Sequence, residues 1–451
     1  MNLNEKICEH KKVVSEKMMK ENILPSVCED DEEGEKNETL GEIASRPASR
    51  PRSVYSRGSV DGKRVPRSRL SLRDEQNADE QKEEEFEKDT GSCPCDGQQM
   101  ERDCVIADED YDIDLELEAF HNERQAYDPT GQTRYKEACK MLSVTPMSCF
   151  LRNINQTELN MMHCGLGPQG TKALAVSLVT NTSILKLNLR DNWMEGIGGA
   201  AMADMLKENS YITEIDLSEN RMGEHGARAL SSMLLENTTL VSLKLSGSHL
   251  DEHAARHLAP ALVSNQKLQH LDLSHNRFGD IAGELLGAAI AENIGIKSLN
   301  MAWNSIRGNG AIAFVKGLEA NIFLRTLDLS YNGLGKEGAK ALEEVLKHNN
   351  ILEDLNISIN NIPPVGAIHL AMGLKVNSTL RILKMSRNPI QSAGCFAILK
   401  SMQANPKSAL EFLDFSDICV DQEFEDLFNT VKEIIPNLQV KHEIKTVLKK
   451  S

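Results

Sequence analysis

The chain has 451 residues, of which 40% are hydrophobic and 26% charged, and its net charge is −16. That acidic balance argues against nucleic acid as the main partner, and the lack of any run of 18 apolar residues argues against a membrane span. The charge is uneven, with 34 acidic and 19 basic side chains in residues 1–130 against 33 and 32 in the rest.

In chain order, residues 1–130 read as a disordered, charge-patterned region. Met1 is followed by charge from Glu5 to Lys20 and no secretory apolar core, and the ten cysteines are scattered. A reducing intracellular compartment is expected, the cytoplasm first and the nucleus as the alternative. Glu29 to Glu35 is nearly all carboxylate. Residues 46–73 reverse sign, with nine Arg or Lys against Asp61, before the acids return. This basic block is open to four readings: a nuclear-import signal, a phosphorylation target, a contact for an acidic surface, or a solvated tail. The phosphorylation candidates are Ser49 and Ser53, each three residues after an Arg. Cys93-Pro94-Cys95 has the wrong spacing for a zinc knuckle. Asp108 to Glu118 alternates acids with Tyr, Ile and Leu, which suits either an added strand or a solvated lead-in.

The rest of the chain is periodic. The phrase Leu268-Gln269-His270-Leu271-Asp272-Leu273-Ser274-His275-Asn276 returns every 28 residues, with its Asn at Asn192, Asn220, Asn276, Asn304, Asn332, Asn360 and Asn388. Cys164 and Ser248 fill the gaps. A second ladder follows through Asn181, Asn209, Asn237, Asn265, Asn293, Asn321, Asn349, Asn377 and Asn405. Each repeat predicts a short strand whose leucines face inward, then a helix such as the one carrying Ala339, Leu342, Val345 and Leu346 on one face. Ala229, Ala313, Ala341 and Ala397 are expected to bring the helices close to the sheet. The second Asn ladder is expected to form left-handed helix caps. No repeat can bury its apolar face alone, so the units must stack.

The predicted organisation has a helical cap over residues 131–155, about ten repeats over 156–419, and a closing helix with a tail over 420–451. The cap helix spans Arg134 to Leu142 and is stopped by Pro146. The fold class is α/β: a horseshoe solenoid with a concave parallel β-sheet and convex helices, plus the disordered N-terminal region.

This phrase resembles the ribonuclease-inhibitor-like class of leucine-rich repeats over about residues 155–420. Within the class the chain is similar to the leucine-rich repeat-containing protein 74 family, through Cys149-Phe150-Leu151-Arg152, Gly165 to Leu174 and Asn388 to Gly394. The resemblance implies an intracellular repeat protein and supplies no enzymatic activity. The chain departs from other members of the class. It has few repeat cysteines, no phosphate-binding GxxxxGK[ST] and a lysine-bearing C-terminus in place of a long acidic one.

The position just before the repeat Asn gives His275, Trp303, Tyr331, Ile359 and Arg387 on five neighbouring strands. Aromatic residues and Arg dominate protein-binding hot spots. Asp272 and Asp328 lie beside them, and Trp193 directly follows Asn192 near the same rim. These eight residues are the candidate protein-binding set, against the reading that the aromatics are rim structure. His249, His253 and His257 are spaced by four but lack a converging third ligand, so no metal site is expected. No catalytic motif is present and no cofactor is implied. The expected function is a non-catalytic, monomeric scaffold that binds a protein partner on its concave face. The alternatives are a GTPase-activating or GTPase-regulating protein of the Ran-activator type, and a structural spacer.

Overall fold

A computed structural model describes residues 131–444, so the basic block, Ser49, Ser53, Cys93-Pro94-Cys95 and the Asp108–Glu118 alternation all lie outside the described residues. Two helices open the described chain, α1 (Gln132–Met141) and α2 (Ser148–Asn153). Strands then alternate with helices: β1 (Glu158–Asn160), α3 (Gly167–Leu178), β2 (Lys186–Asn188), α4 (Glu195–Glu208), β3 (Glu214–Asp216), α5 (Gly223–Glu236), β4 (Ser242–Lys244) and α6 (Glu252–Ser264). The series continues with β5 (His270–Asp272), α7 (Asp280–Glu292), β6 (Ser298–Asn300), α8 (Gly308–Ala320), β7 (Thr326–Asp328) and α9 (Gly335–His348). It closes with β8 (Asp354–Asn356), α10 (Pro364–Leu374), β9 (Ile382–Lys384), α11 (Gln391–Gln403), β10 (Phe412–Val420), α12 (Gln422–Ile434) and β11 (Gln439–Ile444).

All eleven strands form one parallel sheet in sequence order. The register steps by one repeat, pairing Leu187 with Ile215, Leu243 with Leu271 and Leu327 with Leu355. The middle residue of each three-residue strand is buried, and its neighbours face the open side. Strands repeat at about 4.8 Å, whereas packed helices need about 8–10 Å. One helix per strand therefore forces the stack to curve with the sheet on its inner side. Leu243, Leu327 and Leu355 sit at 0% exposure, and burying each contributes roughly 1.5–3 kcal/mol.

The first Asn ladder ties each turn to the repeat before it. Asn220 is fully buried; its Nδ2 donates to Leu189 O (2.9 Å) and Leu217 O (3.0 Å), and its Oδ1 accepts from Asn192 N (2.8 Å). One amide thus satisfies turn groups that water cannot reach. Ser248 replaces this fork with one 3.3 Å bond from its Oγ to Leu217 O.

The second ladder differs from expectation. Asn209 has φ −76° and ψ 117°, an extended backbone. Its Nδ2 donates to Leu178 O (2.7 Å) and Asn181 O (2.9 Å), while Oδ1 accepts from Tyr211 N and Ile212 N at 2.9 Å. The residue bridges the end of one helix to the next loop, a task for an amide in any backbone state. A left-handed column lies elsewhere, directly before the first-ladder Asn, where φ is +55° at His275, Trp303, Tyr331 and Arg387 and +54° at Ile359.

The small residues also sit differently. Ala227, Ala255, Ala311, Ala339 and Ala367 form the fully buried column. Ala229, Ala313, Ala341 and Ala397, two residues on, are half-buried on the helix flank, because two residues turn a helix by about 200°. His257 and His369 occupy that same flank column. His257 Nε2 meets Glu224 Oε1 at 3.2 Å, and His369 Nδ1 meets Glu343 Oε2 at 2.7 Å.

At the N-terminal end the fully buried Tyr135 and Phe150 meet edge-on at 4.6 Å, and the Tyr135 hydroxyl accepts from Met147 N at 3.0 Å. Burial raises the Tyr135 pKa, so the phenol stays neutral. The expected helix there ends at Met141, ahead of Pro146. At the far end α12 is capped by Asp421, whose Oδ1 accepts from Phe424 N at 3.2 Å. The stack continues past this helix into β11, an eleventh strand that periodicity did not announce, because Gln439 to Ile444 lacks the Leu-x-Leu phrase.

Candidate functional site

The left-handed column shapes the open side of the sheet. Bulky residues avoid positive φ because Cβ crowds the carbonyl, at about 1–2 kcal/mol per residue. Of the ten equivalent positions from His163 to Asp417, Gly247 alone is glycine. The turn imposes this conformation on every repeat, and its cost is greatest at Ile359, where the side chain is β-branched.

Three of these side chains form a ladder of rings. His275 stacks on Trp303 with centroids 5.3 Å apart and planes 16° from parallel; Trp303 stacks on Tyr331 at 3.5 Å and 15°. The sheet spacing sets this arrangement, since equivalent side chains on neighbouring parallel strands lie side by side. Trp303 remains 47% exposed. Ile359 is half-buried, and Arg387 is exposed and donates through Nε to Asp417 Oδ2 at 2.5 Å. That hydrogen bond, followed by the charge of Asp417, raises the Arg387 pKa. Behind this stretch α7 and α8 pack closely. A Cβ added at Gly287 would fall 2.6 Å from Phe314 Cα, and one at Gly317 would fall 2.1 Å from Gly287 O.

Asp272 and Asp328 prove to be parts of the turns first. Asp272 Oδ1 accepts from Ser274 N (3.0 Å) and Ser274 Oγ (2.6 Å). Asp328 accepts from Ser330 N through Oδ1 and from Asn356 Nδ2 through Oδ2, both at 2.8 Å. Asn188, Asn300 and Asn356 hold their turns in the same way. Trp193 is 59% exposed at φ +54°, four repeats from Trp303, and among the described residues it stacks on no ring. The structure therefore brings together His275, Trp303 and Tyr331 and leaves Trp193 apart.

Two residues absent from the sequence-based set border the ladder. Gly247 precedes His275 in the column, and the Glu219 carboxylate leans over it, 2.5 Å from where a Gly247 Cβ would sit. The signal was available as the one missing side chain in a column of large ones. Nearer the N-terminal end, a trench of about 390 Å³ over β1–β4 is lined by Glu158, Lys186, Glu214, Asp216 and Lys244. Lys186 pairs there with Glu158 (3.2 Å) and Glu214 (3.5 Å), which together raise its pKa. These charges compensate one another within the trench. Among the described residues no group of three or more potential ligands could hold a metal ion, and no helix is long and apolar enough to cross a membrane.

Seven segments match the Leucine Rich repeat family: 153–175, 180–203, 208–231, 264–287, 293–315, 320–342 and 376–399. With the parallel sheet and its alternating helices, these make the chain a leucine-rich repeat protein. Among curated proteins it is similar to members of the leucine-rich repeat-containing protein 74 family. The chain is 48% identical over 71 residues to Leucine-rich repeat-containing protein 74B of Homo sapiens and 50% identical over 52 residues to that of Mus musculus. Those stretches cover 16% and 12% of this chain, and 17% and 13% of the relatives. Among solved structures, Leiomodin-1 Actin-Binding Site 2 aligns at 18% identity and TM-score 0.28, covering 39% of this chain and 86% of that one. The tropomodulin C-terminal domain from Caenorhabditis elegans aligns at 16% and 0.29, covering 32% and 89%.

Proposed function

We propose that the protein is a non-catalytic scaffold that docks a protein partner on the sheet face, centred on His275, Trp303 and Tyr331 and extended by Ile359 and Arg387. The ring ladder carries this reading. Three rings stand together on the open side of the sheet, and Trp303 at their centre is 47% exposed although its ring is large and apolar. Rigid aromatics supply large contact area at low entropic cost, as binding hot spots require. Asp272 and Asp328 contribute by fixing the turns that present the rings. A single monomeric chain in the cytoplasm is the state in which we picture this docking.

The test is proximity capture with the full chain, comparing wild type with a Trp303→Ala, Tyr331→Ala double variant of matched thermal stability. The proposal expects a specific set of proteins to vanish with the variant. Identical sets would show that the ladder is structural.

A further inference from the structure

The ring ladder ends at a step. Beyond His275 the next position is Gly247, which has no side chain to cover the outer face of the imidazole. On the far side of the step stands Glu219, with its carboxylate reaching over Gly247. Its side chain is 41% exposed and its one ion pair among the described residues is a loose contact of Oε1 with Arg190 Nη2 at 3.6 Å. The strands of Glu219 and His275 are two apart in the sheet, which separates them by about 9.6 Å at ordinary strand spacing. That gap accepts one planar layer once the flexible Glu219 side chain moves aside, with its carboxylate left at the edge of the layer.

We infer that this step is a receptor for an arginine side chain of the partner, a conclusion that rests on the sheet face being the docking surface. A guanidinium is planar and cationic, carries a donor fork that matches a carboxylate, and stacks on aromatic faces. The step offers both complements, an open ring face backed by Trp303 and the Glu219 carboxylate. The two nearby cations, Arg190 and Lys244, each already lean on a carboxylate. Lys244, the cation on the intervening strand, is already turned to Asp216 at 3.9 Å, while Asp272 adds negative charge on the His275 side. An ammonium gains the charge but lacks the fork and the plane, so the step favours arginine over lysine. The occupant is thus an exposed arginine on a basic segment of a protein.

Trp193 and Trp303 are the two tryptophans of the chain, so a Trp193→Phe background leaves Trp303, stacked directly behind His275, as the fluorescence reporter. The full chain in this background would be titrated with an octapeptide of alternating arginine and glycine, and with lysine and citrulline counterparts. The expected result is a saturable Trp303 response to the arginine peptide, roughly tenfold weaker with lysine and absent with citrulline. Glu219→Gln should weaken the arginine response by roughly tenfold. Gly247→Ala, whose methyl displaces the Glu219 carboxylate, should weaken it too. Equal responses to arginine and lysine, or an arginine response untouched by Glu219→Gln, would overturn the receptor. If partner capture still depends on Trp303 and Tyr331 while Glu219→Gln leaves it intact, the docking surface stands and the arginine receptor falls. If neither substitution alters capture, both fall.

Discussion

The repeats around β2 and β3 and those around β6 and β7 share one backbone and present opposite surfaces. Both use the same Asn fork, at Asn220 in one region and Asn332 in the other. Both hold the preceding residue at positive φ. In the first region that column carries Asp191 and Glu219 above a trench of paired charges; in the second it carries Trp303 and Tyr331 in a stack. The helices behind differ too, because α7 and α8 meet through glycines where α4 and α5 meet through Gly199, whose Cβ would strike the yielding end of Met222. Closer helices reduce the mismatch with strand spacing that makes the stack curve. The repeated positions hold the solenoid together, and the positions that break the repeat give each stretch its surface.

The largest effect is expected from breaking the helix contact behind the rings. Gly317→Val places a branched side chain against Gly287 O and should cost about 4 kcal/mol in urea unfolding. Asn220→Ala removes a buried fork, leaving the Asn192 N–H without its acceptor and Leu189 O and Leu217 O each one donor short, for a loss of about 3 kcal/mol by the same measurement. Two changes should sharpen the comparison by gaining stability. Ser248→Asn restores the missing fork, and Ile359→Asn relaxes a β-branched residue at φ +54°; each is expected to raise stability by about 1 kcal/mol. The smallest change in stability, about 1 kcal/mol or less, belongs to Trp303→Ala, because a ring that is 47% exposed gives up little beyond its stacking. A much larger destabilisation there would make the ring ladder a structural element.

The 28-residue phrase made the strands and the inward leucines legible, because both follow from spacing alone. Backbone torsion was not legible. Asn tolerates the left-handed state, so the second ladder drew that assignment, whereas the turn imposes positive φ on Trp303, Tyr331 and Ile359, types with no preference for it. The turn role of Asp272 and Asp328 could have been read from the Ser two residues later, a spacing at which Asp commonly closes its own turn. The close packing of α7 and α8 had a visible trace in Gly283, Gly287, Gly310 and Gly317, but pairing glycines on two helices requires the helix rotation that only the fold supplies. Strand β11 carries no phrase and depends on β10 as its template.

Hydroxyl-radical footprinting of the full chain, with and without its captured partner, tests the central claim most directly. Trp303 and Tyr331 on the sheet face and Tyr211 on the loop after α4, 46% exposed, serve as internal reporters. The account predicts that the partner suppresses oxidation at Trp303 and Tyr331 and leaves Tyr211 unchanged. Protection of Tyr211 with Trp303 still fully reactive would place the partner elsewhere on the solenoid and contradict it.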